Sequence, residues 1–288
     1  SYGVQSISSE ADNSYRPFFR IKAKALTRNT DKVMALLEEI TEKSVFSRGT
    51  RLAELIEEEK TGWDTDAFRN GQTLVTKRLL SYVSQQAAFD EAGELSYYRF
   101  LADIAKTIRK DGDTVGNRLK DVAKKLFVKA RLTVSVTGEA AEKEALKKVL
   151  PLWLEAMPEG EKGTLLFDFD LQRRNEGIMT GGKVQYVAKG GNFRKHGFEY
   201  TGAMSVLTTI LQYEYLWIKV RVQGGAYGAH TRFSPNGDLV FCSYRDPNLA
   251  KTIQAYDDLP SYLESFDIPE REMTKYVIGT LSRIDTPL

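Results

Sequence analysis

The feature that most constrains this chain lies near its end. Ser234-Pro235-Asn236-Gly237-Asp238 separates two short runs of strand-forming residues, Ala226–Phe233 and Leu239–Tyr244. Pro, Asn and Gly supply the backbone angles of a tight reversal, so the two runs are read as neighbouring antiparallel strands of a hairpin. Such a hairpin needs other elements to cover it. Before it, Phe198–Tyr215 is rich in apolar residues (Met204, Val206, Leu207, Ile210) and is read as a helix, continuing into Leu216–Val222 near or past its end. Val184–Ala188 is read as a further strand, stopping at Gly190-Gly191. After the hairpin, Asp246-Pro247 is read as the N-cap and first position of a helix running to about Ser265. Pro269 opens a last helix, to about Arg283.

The first half has the same mixture. Phe18–Ala25 alternates apolar and basic residues, the period of a half-buried strand. Asn29-Thr30-Asp31 opens a helix to about Lys43, with Val33, Leu36, Leu37 and Ile40 on one face. Helices follow over about Ser47–Lys60, Asp66–Gln86, Glu94–Arg109 and Thr114–Val128. Leu132–Val136 is read as a short strand, and Ala140–Met157 as a charged helix broken by Pro151. The acidic run Glu57-Glu58-Glu59 is better read as a solvated face than as a carboxylate site, because adjacency in sequence does not build a pocket. Pro158-Glu159-Gly160-Glu161-Lys162-Gly163 has no period and collects turn residues, so it is read as a linker. The expected class is α+β, with two similar domains, 1–158 and 164–288, each a mainly antiparallel sheet with helices packed on one face. A chain of 288 residues is long enough for two such domains. Thr164–Leu171 opens the second.

Charge and composition exclude several roles. The formal net charge is +2, with basic residues scattered among acidic ones, and a dedicated nucleic-acid surface needs a clustered basic excess. No run of about 20 apolar residues is long enough to span a membrane. Ser1–Glu10 lacks the basic start and apolar stretch of a signal peptide, so the expected location is cytoplasmic, or a mitochondrial or plastid matrix for a eukaryotic chain. The chain opens in polar sequence and stops straight after a helical pattern, as a piece of a longer protein would. Cys242 is the sole cysteine, expected to be a buried small hydrophobe, and the two histidines, His196 and His230, have no i, i+4 partner that would put two imidazoles on one helix face. No metal site is expected here. Trp63, Trp153 and Trp217 are expected in core or domain contacts.

The segment with most chemistry is Arg221-Val222-Gln223-Gly224-Gly225-Ala226-Tyr227-Gly228. A helix ends, two glycines permit an unusual backbone path, and a tyrosine begins a strand. Arg221 is a permanent cation with a forked set of donors. Tyr227 carries a phenol, a hydrogen-bond donor at neutral pH. A cation and a neutral donor flanking a glycine gap could grip a peptide backbone and its carbonyl oxygen. On residue chemistry alone a Gly-rich helix-to-strand turn, with a surface Arg and a packed Tyr, is the better reading. Phosphate binding fits worse, since the glycines precede a strand and not a helix N-terminus.

The sequence R-V-Q-G-G-A-Y-G, with Arg221 and Tyr227 six positions apart, resembles the Arg/Tyr substrate-binding motif in the C-terminal half of pitrilysin/insulinase-type zinc peptidases. The surroundings are similar to the presequence-protease branch of that family: Phe46-Ser47-Arg48, Arg51–Leu55, Tyr97–Leu101, Leu132–Thr137, and Phe241–Arg245 followed by Asp246-Pro247-Asn248. The resemblance covers nearly the whole chain. It implies that Tyr227 hydrogen-bonds the scissile carbonyl and its oxyanion, and that Arg221, with Gly224 and Gly225, binds peptide. It also implies a zinc peptidase whose inverted H-x-x-E-H motif lies in an N-terminal half. This chain carries no such motif, so zinc would belong to the full-length parent, and the partners would be peptide substrates and that N-terminal half. The two halves of such an enzyme close around a chamber that admits short, unstructured peptides, and the C-terminal half alone would be inactive. Two other readings stay open: a non-catalytic peptide-binding or scaffolding relative, and a free-standing peptide-binding module.

Overall fold

The computed structural model describes residues 1–8, 14–46, 49–163 and 167–286. Ser47 and Arg48, Thr164–Leu166 and the last two residues lie outside the described residues. The fold is α+β, and the chain forms two compact units. The first contains residues 1–5, 16–62 and 98–167; the second contains 6–15, 63–97 and 168–288.

Strands β1 (Tyr2–Ser8) and β2 (Tyr15–Ile21) pair as a two-stranded sheet. At its open end Ser1 and Lys22 exchange backbone hydrogen bonds of 2.9 and 2.8 Å, the reciprocal pair of an antiparallel ladder. Strand β2 takes up the first part of the alternating stretch expected at Phe18–Ala25. The N-terminal polar residues, which suggest no element, become β1 because β2 supplies a partner.

The core of the first unit lies where α1 (Thr30–Glu42) meets α6 (Ala140–Ala156). Met34, Trp153 and Met157 are buried there, with Leu37, Leu132, Leu146 and Leu150 against them. The Trp153 ring N–H donates to Thr41 Oγ1 at 3.3 Å, which satisfies the one polar atom the indole buries. Leu36 and Ile40, expected on the inward face of α1, are exposed instead; Met34 takes the inward position. Pro151 is exposed within α6 and does not end it. Leu132–Val136 is not a strand, since no described segment pairs with it; Leu132 serves the α1–α6 core. Helix α2 (Gly49–Arg69) passes from the first unit into the second at residue 62. The two helices expected over Glu94–Val128 are present as two arms, together labelled α5 (Leu95–Leu126), that meet where Asp111 leaves helical angles (φ −125°, ψ 27°).

In the second unit the helix expected over Asp66–Gln86 is divided. Helix α3 (Gly71–Leu80) ends before Ser84, whose hydroxyl accepts from the Ala87 N–H and caps α4 (Gln85–Glu91). The sheet has strand order β3 (Ala188–Asn192), β5 (Asp238–Tyr244), β4 (Gly228–Phe233), all antiparallel. Strand β3 begins where the expected strand Val184–Ala188 ends, because Gly190 and Gly191 do not turn the chain but pair with Val240 and Leu239. One sheet face is covered by α7 (Gly202–Ile210), the helical segment Leu211–Val222, α8 (Ala250–Asp257) and α9 (Leu259–Glu264). Leu211, Tyr215, Leu216 and Val220 pack there with Ala229, Tyr256 and Leu259, flanked by Phe241 and Phe233. Helix α3 lies on the opposite face, where Cys242 is buried with its sulfur 4.0 Å from the Gln72 carbonyl oxygen. The last helix, α10 (Glu270–Ile284), docks on α7 through Thr209 and Thr280, whose hydroxyls are 2.8 Å apart.

Candidate functional site

The site grows out of an irregular helix. From Leu211 to Val222 the chain winds as a π-helix, with bonds from residue i to i+5 in place of i+4. Its buried residues are Leu211, Tyr215, Leu216 and Val220, spaced four to five apart, as the wider winding requires. On a 3.6-residue period Ile218 and Val222 would share the buried stripe with Leu211 and Tyr215. They are 40% and 66% exposed. The wider turn therefore brings Val220 to the core and carries Trp217 and Arg221 together on the outside. Trp217, expected among core or domain contacts, is exposed and serves the arginine instead. The Arg221 guanidinium carbon sits 4.0 Å from the Trp217 ring centroid, a cation–π contact that fixes the direction of the charge.

The helix closes on its glycines. Gln223 N–H bonds the Ile218 carbonyl at 2.9 Å, Gly225 N–H that of Arg221 at 2.8 Å, and Ala226 N–H that of Val220 at 3.1 Å. The last two bonds each span one residue more than in the usual glycine-closed helix terminus, so the π-winding persists to the end. Gly225 has φ +80°, a conformation other residues adopt at a cost. A Cβ on Gly224 would lie 2.5 Å from the Val220 carbonyl oxygen. The Asn248 amide donates to the Gly224 carbonyl and ties the turn to the segment after β5.

Beyond the turn Ala226 is buried and Tyr227 faces out, 69% exposed. Its N–H bonds the Tyr244 carbonyl at 2.9 Å, and its ring meets that of Tyr244 edge-on at 6.3 Å; Tyr244 in turn meets Tyr186 at 5.6 Å. The phenol hydroxyl has no hydrogen-bond partner among the described residues, and Arg221 has no carboxylate partner among them. An aromatic side chain held at its backbone and ring edge, with an unused donor at its tip, is ready for a ligand oxygen. Arg221, Gly224, Gly225 and Tyr227, singled out from sequence, all belong to this one turn.

The segment after β5 departs from expectation. Asp246 is not the N-cap of α8, which starts at Ala250. It is fully buried, accepting from the Asn248 N–H at 2.8 Å and the Thr252 hydroxyl at 2.7 Å. These bonds hold Pro247 and Asn248 beneath the glycine turn. Trp217 and Asn248 were missed as parts of the site; the i, i+4 spacing of Trp217 and Arg221 is the sequence signal that could have found the first.

The histidines do not meet. His196 is exposed in the short turn Arg194–His196, and His230 lies on β4 opposite Cys242. Among the described residues no three His, Cys, Asp or Glu side chains are placed to hold a metal ion, so these residues do not fit a metal centre.

A family model described as the PreP C-terminal domain matches residues 175–288, which include the whole turn. A second, which describes a region associated with M16 peptidases of subfamily C, matches residues 1–104. This chain belongs to the presequence-protease branch of the pitrilysin-like M16 peptidases, as part of the C-terminal half. Protein HypA of Clostridium perfringens is 38% identical over 290 residues, covering 100% of this chain and 30% of that protein. Presequence protease 1, chloroplastic/mitochondrial, of Arabidopsis thaliana is 28% identical over 269 residues, 92% of this chain and 25% of its own length. The mitochondrial presequence protease of Drosophila melanogaster is 26% identical over 281 residues, 96% of this chain and 27% of its own length. The chain thus spans between a quarter and a third of the length of these relatives. No described helix is long and apolar enough to cross a membrane.

Proposed function

We propose that this chain is the substrate-binding part of a zinc metalloendopeptidase that degrades short, unstructured peptides in a closed chamber. The observation that carries the reading is a pair of donors at the glycine turn with no hydrogen-bond or carboxylate partner among the described residues, the exposed Tyr227 hydroxyl and the Arg221 guanidinium held on Trp217. Tyr227 donates to the scissile carbonyl oxygen and continues to donate as negative charge develops there. A donor aimed at a developing oxyanion lowers the barrier more than it strengthens ground-state binding. Arg221 binds carbonyl groups of the peptide alongside. The glycines keep side chains away from the backbone path that the substrate takes. Zinc, and the residues that hold it, are placed outside this chain, in an N-terminal half of the same polypeptide. The chain by itself binds peptide weakly and hydrolyses none. The working compartment is the cytoplasm for a bacterial chain, and for a eukaryotic one the chloroplast and mitochondrial names of the plant and fly relatives support an organelle matrix.

The test is kinetic and uses the full-length enzyme. Tyr227→Phe is expected to lower kcat by about 10²–10³-fold, the range for loss of one oxyanion donor. Arg221→Ala is expected to raise KM. Full activity in both variants would sink the proposal, and so would chelator-sensitive peptide cleavage by this chain alone.

A further inference from the structure

Strand β5 carries a register slip beside the site. Ala188 faces Cys242, and the Ser243 N–H bonds the Val187 carbonyl at 2.9 Å, so the β3 side pairs residue for residue that far. The next bridge joins Gln185 to Asp246, with reciprocal bonds of 2.9 and 2.8 Å. Between these points Tyr244 and Arg245 together oppose Tyr186 alone. Two residues against one is a β-bulge, a device that re-aims a side chain at the end of a ladder. The β4 side registers the same slip: Tyr227 N–H reaches the carbonyls of both Tyr244 (2.9 Å) and Arg245 (3.4 Å).

Arg245 sits in the bulge at φ +48°, the one non-glycine residue with positive φ among those described. A side chain in this left-handed region is disfavoured, and Gly or Asn usually occupies it. The chain on its far side is pinned by fully buried Asp246, so Arg245 cannot relax by moving the backbone. Its guanidinium carbon lies 5.5 Å from the centroid of the Tyr244 ring, the ring that also touches Tyr227. Arg245 is exposed and has no carboxylate partner among the described residues. A strained backbone here presents a cation with no carboxylate partner among the described residues, on the ring that also touches the proposed oxyanion donor.

We infer that Arg245 is a second substrate-binding cation, which takes a carboxylate of the bound peptide. This rests on the assignment of Tyr227 above. Arg245 and Tyr227 both contact the Tyr244 ring, and planar guanidinium binds carboxylate through paired hydrogen bonds. The carboxylate is either an Asp or Glu side chain near the scissile bond or the peptide's own C-terminus. Arg245 acts in ground-state binding, so it sets which peptides are preferred and leaves the chemistry to other groups.

The experiment measures kcat and KM of the full-length enzyme on matched synthetic peptides. One arm compares Glu with Gln at positions flanking the cleaved bond; the other compares a free C-terminus with its amide. The wild-type enzyme is expected to favour the carboxylate form in one arm by about tenfold in kcat/KM, the scale of one charge-assisted hydrogen bond, with the difference in KM. The arm that shows it identifies the carboxylate. Arg245→Gly relieves the strained backbone and should not lower the unfolding midpoint; in it the preference is expected to fall to near one. Arg245→Lys keeps the charge and should retain part of it. No carboxylate preference in the wild type, or one unchanged in Arg245→Gly, overturns the inference. If Tyr227→Phe is still crippled in that case, the assignment of Tyr227 survives; if Tyr227→Phe is fully active, both fall.

Discussion

The long helices α2 and α5 and the π-helix do different work. Helix α5 keeps an apolar stripe over 32 residues, interrupted where Asp111 leaves helical angles. The π-helix spans 12 residues and buries side chains four and five apart. The regular helices supply scaffold. The irregular winding gives up backbone regularity to put Arg221 over Trp217 and deliver the chain to the Gly224-Gly225 turn. Three departures from ideal geometry, the π-winding, the positive φ of Gly225 and the bulge at Arg245, gather around Tyr227. The difference teaches that the strained elements are the ones to ask about function.

Substitutions at glycines break this comparison most sharply. Gly224→Ala is expected to cost the most, about 3 kcal/mol, because its Cβ would meet the Val220 backbone oxygen and neither can yield without opening the turn. Chemical denaturation checks the loss, and peptide turnover of the full-length variant should fall with it. Gly225→Ala is expected to cost about 1–2 kcal/mol for a non-glycine at φ +80°. Trp217→Ala removes the platform under Arg221, and KM for a peptide should rise by about two- to fivefold, matching an exposed cation–π contact of roughly 0.5–1 kcal/mol. Gly62, in the regular α2, has nothing within 4 Å of an added Cβ. Gly62→Ala should raise stability by about 0.5–1 kcal/mol and leave turnover unchanged. If Gly224→Ala proved as harmless as Gly62→Ala, the turn would not be the rigid platform described.

Cys242 sharpens the comparison with the smallest effect. Burial against α3 pushes its thiol up to about 11. At pH 8 the folded protein should resist iodoacetamide while the denatured protein reacts, since only the thiolate attacks. Rapid labelling of the native protein would mean that the sheet beneath Tyr227 opens readily.

Much of this was legible in the sequence where a period or a turn signal is local. The β4–β5 hairpin, α1, α10 and the two arms of α5 follow from alternation, caps and helical spacing. So does the placing of Arg221, Gly224, Gly225 and Tyr227 in one turn, although their chemical roles came from resemblance and not from spacing. What stayed hidden depends on tertiary partners. The β1 strand exists because β2 pairs with it. The π-winding shows only in which of Ile218, Val220 and Val222 the core selects. Asp246 has the sequence look of an N-cap, yet its burial makes it a tie between the strand end and α8. The bulge at Arg245 cannot be seen until the registers of β3 and β5 are compared.

The most direct measurement is the distance from the Tyr227 hydroxyl to the scissile carbonyl oxygen in a crystal structure of the full-length enzyme with a bound peptide inhibitor. The expected result is a hydrogen bond of about 2.5–3.0 Å, with the Arg221 guanidinium on a neighbouring carbonyl. A peptide bound in the active enzyme with its scissile carbonyl out of reach of Tyr227 would contradict the assignment of this turn as the substrate grip.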